Sequence, residues 1–239
     1  MNTAVNDTLF ELFHKFPYRE NLVKQFAVGQ KYVGIMLTNG SIGVSATLMH
    51  SINTPLKKIL ENPDFTIYEH RIVANAWINA NQNYSECING KADIFEAIDF
   101  ASYKSLVMVG YFGSLVQKFV DKGLKITIFD LNEQEVPVEP IENQKEAISN
   151  SDGVILTSTT LANGTFQRIM GFTTSKSKVF MLGPSTPLTA DVMDMHSEVC
   201  GLFGARFKPH DDEVLSRIAE GGGTRTFLSR MEKVYLLRG

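Results

Sequence analysis

The chain has only two cysteines, Cys87 and Cys200, and neither belongs to a CxxC pair. That excludes a disulfide framework and reads as free thiols in a reducing compartment. Long apolar runs are missing as well, so no segment reads as a membrane span. Residues 1–13 carry Asp7 and Glu11 and lack the basic start and apolar stretch of a signal peptide. A cytoplasmic protein is therefore expected. No cluster of Lys and Arg stands out, and a formal net charge of −3 speaks against electrostatic binding to nucleic acid or to anionic membranes. Also absent are an HxxxH motif, an EF-hand loop and a Gly-x-Ser-x-Gly elbow, which removes the simplest metal and nucleophile signatures.

What is present is the composition of a globular protein: 239 residues, 44% hydrophobic and 21% charged, enough for a sizeable core. Val5, Leu9, Leu12 and Phe13 fall at helical spacing, which predicts a helix over 5–15. Val33 to Leu37 and Ile42 to Leu48 are β-rich runs joined through Thr38-Asn39-Gly40-Ser41, a hairpin signal. Residues 67–80 read as a packed helix after a proline-interrupted stretch. From about Ile94 short apolar strands alternate with helical segments: Leu106–Val109, Ile126–Phe129, Val154–Thr157, Val179–Leu182 and Val199–Phe203. This alternation predicts α/β architecture, a doubly wound Rossmann-like parallel sheet over 91–239, preceded by a smaller α+β unit over 1–90, with the boundary at Asn89-Gly90.

Three constellations suggest a site. The first strand of the sheet runs into Gly110-Tyr111-Phe112-Gly113, and Asp130 closes the next, which imitates a nucleotide-binding turn and its ribose-binding acid. The second glycine of GxGxxG is absent, and two rings stand where a pyrophosphate would approach. That argues against NAD or FAD and suits a ligand without pyrophosphate; a tight turn and a capping acid explain the same residues equally well. Second, Thr157 to Thr165 is rich in hydroxyls, with Asn163-Gly164 suited to a turn and Thr165 placed to cap a helix starting near Phe166. Third, Gly183-Pro184-Ser185-Thr186-Pro187 follows a strand, and Thr186 with Pro187 reads as a helix start whose N–H groups face the crevice. For metal, His196, Glu198 and Cys200 alternate and would share a strand face. The competing reading makes Cys200 a small core residue, Glu198 a solvent-facing one and His196 a helix C-terminal residue. His210-Asp211-Asp212-Glu213 reads as the first turn of a helix ending at Gly221.

Together, Val107-Met108-Val109-Gly110-Tyr111-Phe112, Asp130, Ser151-Asp152-Gly153-Val154-Ile155-Leu156-Thr157 with Asn163-Gly164-Thr165, Leu182 to Leu188 and Glu220-Gly221-Gly222-Gly223 resemble the heavy-metal chelation domain family, domain of unknown function 364. Residues 10–85, with Gly40 to Ser45 and Ala76 to Ala80, resemble the small domain that precedes it. The resemblance implies an enolase-N-terminal-like first domain, a methyltransferase-like Rossmann second domain and a site between them. It also implies heavy-metal chelation, or condensation and hydrolysis chemistry on pterin-, flavin- or siderophore-like compounds. The expected ligand is thus a small polar heterocycle, metal-chelating or not, held by Gly110, Tyr111, Phe112, Asp130, Thr157, Asn163, Gly164, Thr165, Gly183, Pro184, Ser185 and Thr186, with Asn39 reaching over from the hairpin. A transition metal or an adenosyl- or pterin-like molecule is the cofactor expectation, and homo-oligomerisation stays open. Rival readings are an S-adenosylmethionine-dependent methyltransferase and a non-enzymatic metallochaperone or chelate carrier.

Overall fold

The computed structural model describes residues 7–85, 88–131 and 138–239. Cys87 and Val5 lie outside the described residues. The first part contains α1 (Thr8–Lys15), β1 (Val23–Val28), β2 (Tyr32–Leu37), β3 (Ile42–Ala46), α2 (Leu56–Glu61) and α3 (Tyr68–Gln82). The second contains α4 (Ile94–Ala97), β4 (Leu106–Val109), α5 (Gly113–Asp121), β5 (Thr127–Phe129), α6 (Gln144–Ser149), β6 (Gly153–Thr157), α7 (Thr159–Ala162), α8 (Phe166–Met170), β7 (Lys178–Leu182), α9 (Ala190–Met195), β8 (Val199–Phe207), α10 (Asp212–Ala219), α11 (Thr224–Phe227) and β9 (Met231–Leu237).

Local chemistry explains the element ends. Asp7 caps α1 by accepting from the N–H groups of Leu9 and Phe10, at 3.0 and 3.4 Å. α10 ends in a Schellman motif: Gly221, at φ +83°, donates to Ile218 O at 2.9 Å, and Gly222 donates to Arg217 O at 2.8 Å.

β1, β2 and β3 form an antiparallel three-stranded sheet. All six residues of β2 are buried, because α3 covers one face of this sheet and α10 covers the other. Contact with α3 is so close that a Cβ on Gly43 would lie 2.0 Å from Ala80 N, which leaves room only for glycine. The hairpin is therefore the filling of a sandwich. It does not close over a crevice as expected, and Asn39, exposed at its tip, spends its Oδ1 on the N–H of Ser41 at 3.0 Å.

The larger sheet has the order β5-β4-β6-β7-β8-β9, parallel except for β9, which runs antiparallel to β8. The fold is a mixed α/β architecture with a mostly parallel six-stranded sheet and a separate antiparallel one. β1, α2 and β9 are elements the sequence pattern did not reveal, and β8 continues past Phe203 to Phe207. Asn89-Gly90, the turn-prone pair expected at the boundary, is bridged to Tyr235 of β9. One apolar cluster runs through both parts, joining Leu12, Ile35, Ile72 and Trp77 to Val107, Leu156, Val179 and Leu202. No described helix is long and apolar enough to cross a membrane.

Candidate functional site

Because β5 lies on one side of β4 and β6 on the other, the chain reverses its direction of travel across the sheet at β4. Helices leave opposite faces at that point, and a crevice opens at the carboxyl ends of the strands. A cleft of about 230 Å³ occupies that position, floored by Val109, Phe129 and Ile169. Gly110 makes the opening: its φ is +92°, and a Cβ there would stand 2.6 Å from Cβ of Thr157. Only glycine combines that backbone with that approach. The next N–H, of Tyr111, donates to Asp130 Oδ2 at 2.6 Å, so the acid at the end of β5 holds the glycine turn in place. The Tyr111 side chain lies across the start of α5, its hydroxyl oxygen 3.2 Å and its nearest ring carbon 3.3 Å from where a Gly113 Cβ would be. That ring occupies the space in which a diphosphate would meet the helix N–H groups.

The opposite wall comes from β6, α7 and α8. Thr157 Oγ1 and Thr159 Oγ1 are 3.0 Å apart, and Thr160 Oγ1 donates to Thr157 O at 2.7 Å. Asn163 Oδ1 accepts from both N and Oγ1 of Thr165, at 3.0 and 2.6 Å, and its Nδ2 has no hydrogen-bond partner among the described residues. Thr165 does precede α8, but its hydroxyl goes to Asn163 and not to the helix N–H groups it was expected to cap. Gly164 has the left-handed backbone its neighbours suggested, at φ +73°, and does not itself line the cleft. Arg168 closes this side and makes no ion pair among the described residues.

This wall is held from the first part of the chain. Arg71 of α3, buried, donates through Nε to Leu161 O and Ala162 O, both at 3.2 Å, and through its terminal nitrogens to Leu161 O at 2.6 Å, Phe65 O at 3.1 Å and the carboxylate of Asp7. A fixed fork of donors thus satisfies the last carbonyls of α7. Leu48 is the cleft's lining residue from the first part. It and Met49 have positive φ, +52° and +64°, in an exposed turn after β3; bulky side chains rarely adopt this backbone.

Gly183, Pro184, Ser185 and Thr186 do not line the cleft. Their loop is a clasp against α3 and β3: Ser185 Oγ accepts from Ala46 N at 2.8 Å, Asn75 Nδ2 donates to Ser185 O at 2.9 Å and Asn83 Nδ2 to Thr186 O at 3.0 Å. Ser185 and Thr186 are fully buried. Thr186 is not a helix cap; α9 begins later, capped by Thr189, whose hydroxyl accepts from Asp191 N. The loop forms an internal seam: its Ser185 hydroxyl takes a backbone N–H of β3, and the side-chain amides of Asn75 and Asn83 take its own carbonyls.

His196, Glu198 and Cys200 do not converge. His196 ends α9 ahead of the strand, its Nε2 2.6 Å from Thr8 Oγ1 and its ring edge-on to Phe166, whereas Cys200 packs with the apolar cluster on the other face of the sheet. No group of three His, Cys, Asp or Glu among the described residues is placed to hold a metal ion.

Residues 93–237, more than half of the chain, match the family model of domain of unknown function 364, described as "Putative heavy-metal chelation". The chain belongs to this family. Two solved structures of members, both titled as proteins of unknown function, share its fold over nearly the whole chain. One, from Pyrococcus horikoshii, has a TM-score of 0.78 at 20% identity, covering 96% of each chain. The other, from Desulfitobacterium hafniense DCB-2, has a TM-score of 0.74 at 18% identity, covering 96% of this chain and 98% of its own. No curated protein matches. In this member of the family, sequence reasoning missed Leu48, Gln144 and Arg168 as cleft residues. Their side chains come from a turn and two helices, whose approach depends on strand order and leaves no local signal.

Proposed function

We propose that this protein binds a small, planar, acceptor-bearing heterocycle in the crevice beside Gly110. The observation that carries the reading is the character of the walls. Asn163 Nδ2 and the Arg168 guanidinium offer donors above the apolar floor of Val109, Phe129 and Ile169, and Asp130 is engaged by the Tyr111 N–H. Ring oxygens or a carboxylate on a flat apolar body complement that pattern. At about 230 Å³ the space lies below the ~300 Å³ at which drug-sized pockets begin, and well short of a dinucleotide.

The donor set fits a soft heavy metal poorly. Hydroxyls, amides, one carboxylate and a guanidinium line the cleft, where such a metal favours thiolate and imidazole. In the form this wall accommodates, chelation belongs to the bound molecule and the protein holds the chelate. S-adenosylmethionine fits less well, because Tyr111 covers the start of α5 and Asp130 is drawn back onto the glycine turn.

Isothermal titration separates these readings. Pyridine-2,6-dicarboxylate, alone or with zinc, should bind the wild type and lose at least tenfold in affinity in Arg168→Ala and Asn163→Ala, while S-adenosylmethionine gives no heat. Binding that is indifferent to both substitutions, or saturable heat with S-adenosylmethionine, contradicts the proposal.

A further inference from the structure

We infer that the bound heterocycle carries a short apolar substituent, which leaves the cleft across Leu48, Met49 and Ile141; this inference rests on the heterocycle reading of the cleft. Of the nine large apolar side chains exposed among the described residues, Leu48, Leu131 and Ile141 line this cleft and Met49 follows Leu48 in the chain. Single apolar groups scattered over a surface are ordinary, and a set gathered at the mouth of one pocket is not. Leu48 is 44% exposed, Met49 58% and Ile141 41%, and none of the three belongs to the apolar clusters that hold the fold together. Folding leaves these side chains uncovered.

The turn that presents two of them is held in a costly shape. Leu48 and Met49 stand at φ +52° and +64°, backbone that glycine or asparagine adopts with less strain. Thr47, wholly buried, imposes it: its N–H donates to Lys31 O at 2.9 Å, its hydroxyl donates to Gln30 O and accepts from Met49 N at 3.2 Å, and its carbonyl accepts from His50 N at 3.0 Å. Bulky residues kept in strained backbone by a fixed anchor are typical of ligand clamps. Leu48 and Ile141 line the same cleft as the floor residues Val109, Phe129 and Ile169, so apolar surface continues from the floor to the mouth. A space of about 230 Å³ holds a ring and little else, and a group attached to that ring passes over the mouth. An alkyl or aryl group there covers what folding leaves exposed, whereas a polar one of the same length gains nothing from these side chains.

Isothermal titration with pyridine-2,6-dicarboxylate, its 4-propyl derivative and its 4-(2-hydroxyethyl) derivative tests this. The 4-position is the one farthest from both carboxylates, so a substituent there leaves them free for Arg168 and Asn163. Each methylene moved from water onto apolar surface is worth roughly fourfold in affinity, and the propyl compound, partly covered, should bind the wild type about tenfold more tightly than either of the others. In Leu48→Asn that ratio should fall below about threefold, while the urea midpoint stays level or rises because asparagine suits the left-handed backbone. A propyl compound that binds no tighter than its parent overturns the inference and leaves the cleft reading standing, as does an advantage that survives Leu48→Asn. A lower urea midpoint in Leu48→Asn makes Leu48 a packing residue and overturns it too. So does a dimer in sedimentation velocity that Leu48→Asn dissociates, since a second copy of the chain then covers the mouth. Failure of all three compounds to bind the wild type overturns the cleft reading and this inference together.

Discussion

His196 shows how a single side chain can resemble a ligand and serve as a structural joint. Gln167 Nε2 donates to Thr8 Oγ1 at 2.8 Å, and the same hydroxyl lies 2.6 Å from Nε2 of His196. Burial pushes the His196 pKa below its ordinary value, and Glu198 only partly opposes the shift. The folded state then binds fewer protons than the unfolded one between the lowered pKa and the unfolded value of 6.5. Stability from this joint is full above about pH 6.5 and falls as pH drops through that window. Urea midpoints measured from pH 5 to 8 should decline on the acid side in the wild type, with a shallower decline in His196→Gln. An unchanged slope in the variant would assign the acid sensitivity to carboxylates instead.

Among the elements, α7 is the one whose position decides the cleft, and it is too short to hold itself. Its four residues close with carbonyls that no further turn satisfies, and Arg71 supplies the missing donors from α3. Arg71→Lys keeps the charge and loses the fork. We expect it to cost about 2–3 kcal/mol in urea unfolding, since buried carbonyls lose their partners and the Asp7 contact loosens. A loss below about 0.5 kcal/mol, the range of ordinary surface changes, would show that α7 does not depend on this residue. The same contrast explains what was legible. β4, β6 and β7 could be read because strands covered on both faces are continuous apolar runs, and the ends of β4 and β6 then located Gly110, Thr157 and Asn163. β9 hides behind Glu232 and Lys233 on an edge, and β8 past Phe203 is interrupted by Gly204 and Arg206. Arg206 caps the end of α3 through Asn83 O and Ser85 O, a long-range task with no local pattern. The 183–188 loop misled for the opposite reason: its stiffness and hydroxyls are real, but they face β3 and α3 and not the crevice.

For the whole molecule, sheets and core divide the chain differently. The two sheets divide the chain between Ala46, where β3 ends, and Leu106, where β4 begins. The core does not: α1 and α3 share one apolar cluster with β4, β6, β7 and β8, and the outer face of the small sheet buries Ala27, Tyr32 and Met36 against Val214, Leu215 and Ile218 of α10. Residues 91–239 alone would expose both surfaces, and the small sheet alone would lose one of its two covers. We therefore predict a single cooperative unfolding transition, with residues 91–239 insoluble or without fixed tertiary structure when produced alone. Two probes placed on either side of the seam make this measurable. Trp77, the only tryptophan, is buried in α3 and reports on the first part by fluorescence, while Cys200 in β8, in a Cys87→Ser background, reports on the second by thiol accessibility. Their urea midpoints should coincide. If instead Cys200 stays protected after the Trp77 signal is lost, the second part stands without the first, and the seam of Arg71, Asn75 and Asn83 is a docking surface between two independent units.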